Sequence, residues 1–312
     1  MARITTLTLN PTIDLACQAE QVRPVRKIRT TDERQDPGGG GVNVARVVQE
    51  LGGETEAVIL AGGVTGHFLV ELLDEIGLPH RAIPIAGRTR ISQTVLDRSI
   101  GEEFRFVPEG PSVSEPEWQA ALDALQTLPQ GSWLVASGSL PRGVPEDFYA
   151  RVAAVARQRG VHCVLDSSGP ALRAGIGHDI ALIKPSLGEF ESLVGRPLRE
   201  PGALEAAALE AVQRGAARLI AVTLGQDGAV LASEEGVLRL PALPVVVKGA
   251  VGAGDSFVAA MTLALARGAA PRDAFAWGMA AGAAAVSNAG TAHPTLAEVE
   301  QLRARIALPV AG

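Results

Sequence analysis

The chain has 312 residues and a net charge of −6, with 47% hydrophobic and 20% charged residues. That length allows one large α/β domain or two small ones, the composition excludes a disordered chain, and the charge argues against an extended nucleic-acid surface. Two cysteines, Cys17 and Cys163, exclude a disulfide framework or a cysteine metal site and fit a reducing cytoplasm. The start, Met-Ala-Arg-Ile-Thr-Thr, lacks the apolar core of a secretion signal, and no run approaches the ~20 apolar residues of a membrane span.

Residues 4–9 read as a strand ending in the polar turn Asn10-Pro11-Thr12-Ile13-Asp14. Asp14 there is either an Asx-turn residue or a carboxylate offered to a ligand at a strand end. Residues 15–35 are rich in charge, and the alternation Lys27-Ile28-Arg29-Thr30 suggests a strand with one wet face. Four glycines, Gly38 to Gly41, then run into a helix over 42–51. Bare backbone at a helix N-terminus suits an anion or polar ligand, and Asn43 in the first turn can bond a hydroxyl.

Strand 56–61, helix 66–76, strand 81–86 and a hairpin over 90–97 and 103–107 follow. Helix 116–127, strand 133–136, helix 146–159, strand 161–165 and strand 180–183 continue the alternation. Such a rhythm predicts a mostly parallel sheet with helices on both faces. Ligands of such sheets bind beyond the carboxyl ends of the strands. There the sequence places Asn10 and Asp14, Ser137-Gly138-Ser139, Asp166-Ser167-Ser168, Lys184-Pro185-Ser186 and Thr223-Leu224-Gly225. Short strands at 229–232, 237–240 and 244–248 read as locally antiparallel, and helices 254–267, 272–286 and 295–306 close the chain. The breaks at 15–35 and 90–106 together predict a small β-flap on a single domain spanning 1–312.

The stretch Val251-Gly252-Ala253-Gly254-Asp255-Ser256 opens the first of those helices. Asp255 reads by itself as a helix cap, or as a base aimed at a hydroxyl about to attack a phosphate. The P-loop and the G-x-G-x-x-G fingerprint are both missing, which opposes an NAD-linked dehydrogenase. The five histidines are scattered and form no nucleophile or metal pattern.

Gly38-Gly39-Gly40-Gly41-Val42-Asn43 and Gly252-Ala253-Gly254-Asp255 resemble the two signatures of the ribokinase-like sugar kinases, the phosphofructokinase-B family. They stand in the family's order and separation, and the resemblance runs over essentially the whole chain. It is closest to the minor bacterial 6-phosphofructokinase branch, whose glycine run has Gly where other members carry Lys at position 40. The start Leu7-Thr8-Leu9-Asn10-Pro11-Thr12-Ile13-Asp14 also resembles 1-phosphofructokinases and tagatose-6-phosphate kinases, which stand as the alternative within the class. A non-catalytic sugar-phosphate sensor is the alternative from another class.

The resemblance implies an α/β three-layer sandwich with a β-flap that acts as a lid, and an ATP-dependent transfer to the 1-hydroxyl of fructose 6-phosphate. Asp255 would be the base, with the N–H groups of Gly252, Ala253 and Gly254 facing the transferred phosphoryl group. Asp14, Gly39, Gly40 and Asn43 would hold sugar hydroxyls, and Arg90 with Ser139 the sugar phosphate. From residue chemistry alone, Arg90 is a solvated strand residue. Lys27 and Arg29 would reach the neighbouring site of a homodimer joined through the flap, or else protect a solvated edge strand. Lys184-Pro185-Ser186-Leu187-Gly188-Glu189 resembles the family's Lys-Pro-Asn-x-x-Glu. It gives Lys184 and Ser186 to ATP and Glu189 to Mg²⁺ through water, with Ser186 departing from the family's asparagine. Thr223, Gly225 and Gly228 resemble the adenine-nucleotide loop. Gly249, Val251, Asn288, Gly290 and Ala292 match loops that hold K⁺ through backbone carbonyls in relatives.

Overall fold

The computed structural model describes residues 3–249, 252–288 and 293–308. Strand β1 (Ile4–Thr8) leads into two strands of a small sheet, β2 (Thr12–Ala19) and β3 (Thr30–Gly38), and the glycine run turns into helix α1 (Gly40–Glu50). After β4 (Thr55–Ala61), α2 (Gly63–Glu75) and β5 (His80–Pro84), the chain returns to the small sheet as β6 (Arg90–Asp97) and β7 (Glu102–Phe106). The alternation resumes with α3 (Glu115–Leu125), β8 (Trp133–Ser137), α4 (Phe148–Arg159), β9 (His162–Asp166), α5 (Gly169–Gly175) and β10 (Ile180–Ile183). It continues through α6 (Leu187–Val194), α7 (Ala203–Gln213) and β11 (Leu219–Thr223). The antiparallel strands β12 (Ala229–Ser233) and β13 (Gly236–Leu240) and the helices α8 (Ala253–Ala266), α9 (Pro271–Val286) and α10 (Leu296–Arg303) complete it.

Nine strands form one sheet in the order β13-β12-β11-β10-β9-β8-β1-β4-β5. Pairing is parallel from β11 to β5 and antiparallel at β11–β12 and β12–β13. The strand order reverses at β1, whose neighbours are β4 on one side and β8 on the other, so a crevice opens there beyond the carboxyl ends. Alternate residues of each strand feed opposite faces, as the two-residue period requires. Leu134 and Ala136 of β8 pack with α3 and α4, whereas Trp133 and Val135 pack with α1, α8 and α9. The result is a three-layer α/β sandwich, as expected.

Helices α8 and α9 are apolar nearly all round because they are buried nearly all round. Phe257 of α8 meets Phe275 of α9 edge to face at 5.9 Å between ring centres. Gly278 leaves room for that ring, since a Cβ there would lie 3.0 Å from Phe257.

The small sheet has the order β3-β2-β6-β7, with a parallel pair at its centre. It starts three residues earlier than the expected flap, at Thr12. Its two faces differ in chemistry. Asp14, Ala16, Ser92, Thr94 and Arg105 share one face by register, and Ile91, Val95, Phe104 and Phe106 share the other. Ile91, Phe104 and Phe106 are exposed.

Three expectations need correction. Residues 244–248 form no strand, because after Leu240 the chain leaves the sheet edge and Lys248 N–H binds Val286 O at the end of α9. Lys27 and Arg29 lie in the loop before β3, which starts only at Thr30, where pairing with Ala19 begins. The helices α5, α6 and α7 have no counterpart in the sequence reading. At 7 and 8 residues α5 and α6 are too short for a strong period, and the alanines of α7 (Ala203–Gln213) blur its apolar face.

Candidate functional site

Two cavities meet at the β1/β8 crevice. The first, about 310 Å³, is lined by the residues beyond β8, β9 and β10, among them Ser139, Asp166, Ser168, Lys184 and Glu189. The second, about 240 Å³, lies between the small sheet and α1, with Asp14, Gly39, Asn43, Arg90 and Arg105 in its walls. Gly252 and Asp255 line both.

Asp255 sits in the first turn of α8 behind Gly252, whose φ of 75° is left-handed and suits glycine. Asn43 Nδ2, from the first turns of α1, donates to Asp255 Oδ2 at 2.9 Å. The two glycine-containing loops, 212 residues apart at this pair, are thereby joined. Burial first, then the charge of Asp166, pushes the Asp255 carboxyl up to about 6; the Asn43 bond and Lys184 oppose the rise. A carboxyl held there is ionised near neutral pH yet basic enough to accept a proton.

Lys184 is buried, and its Nζ lies 3.4 Å from Asp166 Oδ1. Burial disfavours its charge, but Asp166, Asp255 and Glu189 outweigh that and raise its pKa. A Cβ at Gly254 would come within 3.2 Å of this ammonium, so the glycine lets the cation stand against the start of α8. Helix N-terminus and cation therefore face the same cavity, an arrangement that favours anions. Glu189 Oε2 accepts from Ser186 N–H at 2.7 Å in a capping box, so Ser186 acts as the cap of α6 and holds the carboxylate in place.

In the second cavity Asp14 is opposed across the sheet by Asp36 and faces Arg90 and Arg105. Its carboxyl is raised by burial and eased downward by the two arginines. Gly38 lies directly under the Asp14 carboxylate, and at Gly39, with φ 110°, a Cβ would press on Thr8 at 2.9 Å and Pro11 at 3.0 Å. Arg90 is not the solvated residue of the plain sequence reading. Burial lowers its pKa, its Nη1 donates to Pro108 O at 2.8 Å, and its Nη2 donates to Asn10 O at 2.9 Å.

The structure separates some residues that the sequence grouped. Gly40 and Ser139 line the first cavity, not the second with Arg90. A side chain at Gly40 would run into Ser137 Oγ. Lys27 and Arg29 are exposed and line neither cavity of their own chain. Ser186, Thr223 and Gly225 line a third, adjoining cavity of about 490 Å³, and Thr223 N–H binds Pro185 O at 3.0 Å, tying the two loops together. Gly228 lines none of the three; it packs against Leu240 and Ala242 with φ 92°. Gly249 and Asn288 are described, but Val251, Gly290 and Ala292 lie outside the described residues. Sequence reasoning missed Arg105 as a site residue, and it placed Asp166 on the ligand rim without giving it a role. The sequence signal for Asp166 is its place after a strand; Arg105 reads as one more charge in a wet hairpin. Among the described residues no cluster of three or more His, Cys, Asp or Glu is preformed to hold a metal, and no helix is long and apolar enough to cross a membrane.

Residues 7–298 match the pfkB family carbohydrate kinases. The chain is 43% identical over 301 residues to an ATP-dependent 6-phosphofructokinase isozyme 2 from Mycobacterium tuberculosis, covering 96% of this chain and 88% of that one. It superimposes on phosphofructokinase-2 from Escherichia coli in complex with potassium with a TM-score of 0.95 at 38% identity, over 98% of this chain and 99% of the other. The structure of the same enzyme with fructose-6-phosphate gives 0.93 at 37% identity, over 98% and 99%. The match spans both glycine-containing loops and the aspartate between the two cavities, and this chain belongs to the pfkB family of carbohydrate kinases.

Proposed function

We propose that the chain is an ATP-dependent 6-phosphofructokinase that transfers a phosphoryl group to the 1-hydroxyl of fructose 6-phosphate. The observation that carries this reading is the position of Asp255, one carboxylate in the walls of two cavities of opposite chemistry. The sugar phosphate occupies the cavity under the small sheet, and the ATP phosphates occupy the one holding Lys184. Asp255 takes the proton of the attacking hydroxyl, and the N–H groups of Gly252, Ala253 and Gly254 face the charge that develops on the transferred group. Asp14, Gly39 and Asn43 hold sugar hydroxyls. Arg90 and Arg105 from that cavity, and Ser139 from its boundary with the ATP cavity, take the sugar phosphate, for which a guanidinium fork is suited. Gly40, without a side chain, keeps the way between the cavities open. The small sheet acts as a lid that excludes water from the transfer.

The donor set fits a Mg²⁺ ion carried in with the nucleotide. Glu189 and Asp166 both line the cavity, one Glu189 oxygen is free of the capping bond, and Mg²⁺ needs only one or two carboxylates beside phosphate and water. When bound, it neutralises phosphate charge during transfer. Lys184 lies along the ATP phosphates, and Ser186, Thr223 and Gly225 take the remainder of the nucleotide, with Gly228 fixing their loop. K⁺ is expected near Gly249 and Asn288. Lys248 N–H and Gly249 N–H both reach Val286 O, which brings these two loops together.

The apolar face of the small sheet is covered around Val95 by Val22 and Ile28, and its exposed part, Ile91, Phe104 and Phe106, supports a homodimer joined there. In it Lys27 and Arg29 would serve the neighbouring site, having no cavity in their own chain. A reaction on ATP and sugar phosphates belongs to the cytoplasm.

The test is ADP release with Mg²⁺–ATP and fructose 6-phosphate, fructose 1-phosphate, tagatose 6-phosphate or ribose, beside Asp255→Asn. Highest efficiency on fructose 6-phosphate, lost in the variant, is expected. Preference for another phosphorylated sugar would move the substrate and keep the mechanism. Sugar-phosphate binding without turnover would replace the enzyme by a sensor.

A further inference from the structure

Asn10 follows β1 directly and is 4% exposed. Its side-chain amide donates to Ser139 Oγ at 3.2 Å and to Glu109 O at 2.8 Å. Its main-chain carbonyl accepts from Arg90 Nη2 at 2.9 Å, while Arg90 Nη1 is held by Pro108 O at 2.8 Å. One residue thus fixes a guanidinium from β6, a hydroxyl from beyond β8 and the chain returning from β7. Gly110, at φ 97°, lies against the Asn10 amide oxygen, and a side chain there would strike it. With both terminal nitrogens of Arg90 on carbonyls, its Nε is buried and has no partner within the protein. A buried donor left in this way costs stability unless something meets it. Arg90 lines the cavity under the small sheet and Ser139 the cavity beside it, and Asn10 is the bonded link between them.

We propose that Asn10 is a positioning residue for the phosphate of the sugar substrate. It holds Arg90 by its carbonyl and Ser139 by its amide, so that both present to one phosphate group. The inference rests on the reading of that cavity as the sugar-phosphate site. Asn10 touches no substrate itself and acts through the two groups it holds.

Asn10→Asp keeps the side-chain shape but removes both donated bonds. Its KM for fructose 6-phosphate is expected to rise about tenfold or more, with the KM for ATP and kcat little changed. A merely structural role would move both KM values, or kcat, together, and that result would overturn the proposal. Asn10→Ala and Ser139→Ala, alone and combined, provide a second measurement should the aspartate variant fold poorly. If Asn10 acts through Ser139, the two increases in KM are strongly non-additive; independent multiplication of the two effects would overturn the proposal. A wild-type protein that turns over no sugar phosphate would remove the reading of the site itself, which is a different result from an active wild type whose KM is unmoved in the variants.

Discussion

Asp255 shows how burial sets both reactivity and a stability penalty. Its carboxyl is pushed up to about 6 from an ordinary value near 3.8. As the proposed base it must be ionised, so kcat should fall as pH falls through about 6. A sugar phosphate's own second ionisation, near 6, overlaps that limb. Asp166→Asn separates the two: it removes a negative charge that raises Asp255, so the acid limb should move to lower pH, whereas a limb set by the substrate would stay. Linkage gives a second consequence. With a raised folded pKa, the Asp255 contribution to stability is full below about pH 4 and is lost as pH rises through about 6. Above that, the native state holds an ionised carboxylate that it disfavours. Asp255→Asn should therefore lower kcat by ~10²–10⁴ while raising stability at pH 8 by about 1 kcal/mol, a discounted value because the residue keeps some exposed surface. Steady-state kinetics and thermal melts on the same preparation test both.

The elements place these side chains through glycine. Helix α1 starts where the chain passes between the end of β1 and the loop after β8. A Cβ at Gly41 would strike Thr8 Oγ1 and lie 2.9 Å from Leu7 O, so the first turn can sit against the strand only without a side chain. Asn43, two residues on, owes its reach to Asp255 to this contact. Gly41→Ala should cost roughly 1–3 kcal/mol by overpacking, read as a lower urea midpoint at unchanged slope. It should also raise KM for the sugar, because Asn43 moves with the helix. A normal midpoint and KM would show that the turn relaxes without cost. The glycine run is legible in the sequence as bare backbone before a helix. Which neighbour requires each glycine is not, because Thr8, Pro11 and Ser137 come from two other strand ends.

Across the whole molecule the small sheet divides two tasks between its faces. One carries Asp14, Arg90 and Arg105 toward the cavity, and the other leaves Ile91, Phe104 and Phe106 exposed at 43%, 38% and 56%. If the proposed homodimer joins through this face, Phe104→Asp with Phe106→Asp should leave a monomer in sedimentation velocity where the wild type sediments as a dimer. If Lys27 and Arg29 serve the neighbouring site, KM for fructose 6-phosphate should rise with dissociation. A double variant that stays dimeric would exclude this face as the interface.

The local sequence determined the class of fold and the location of the site. Strand-helix alternation implies a parallel sheet, and such sheets bind ligands past their carboxyl ends. The polar triplets after β8, β9 and β10 and the glycine loops are legible in the chain itself, because these are short-range patterns of backbone chemistry. Only the tertiary structure decided that strand order reverses at β1. It also brought Asn43 to Asp255 and Asp166 to Lys184, and it made Arg90 a buried guanidinium held by two carbonyls. Arg105 carries no local mark that separates it from a solvent-facing charge. Its role depends on which face of β7 turns inward, and strand pairing across the whole small sheet fixes that.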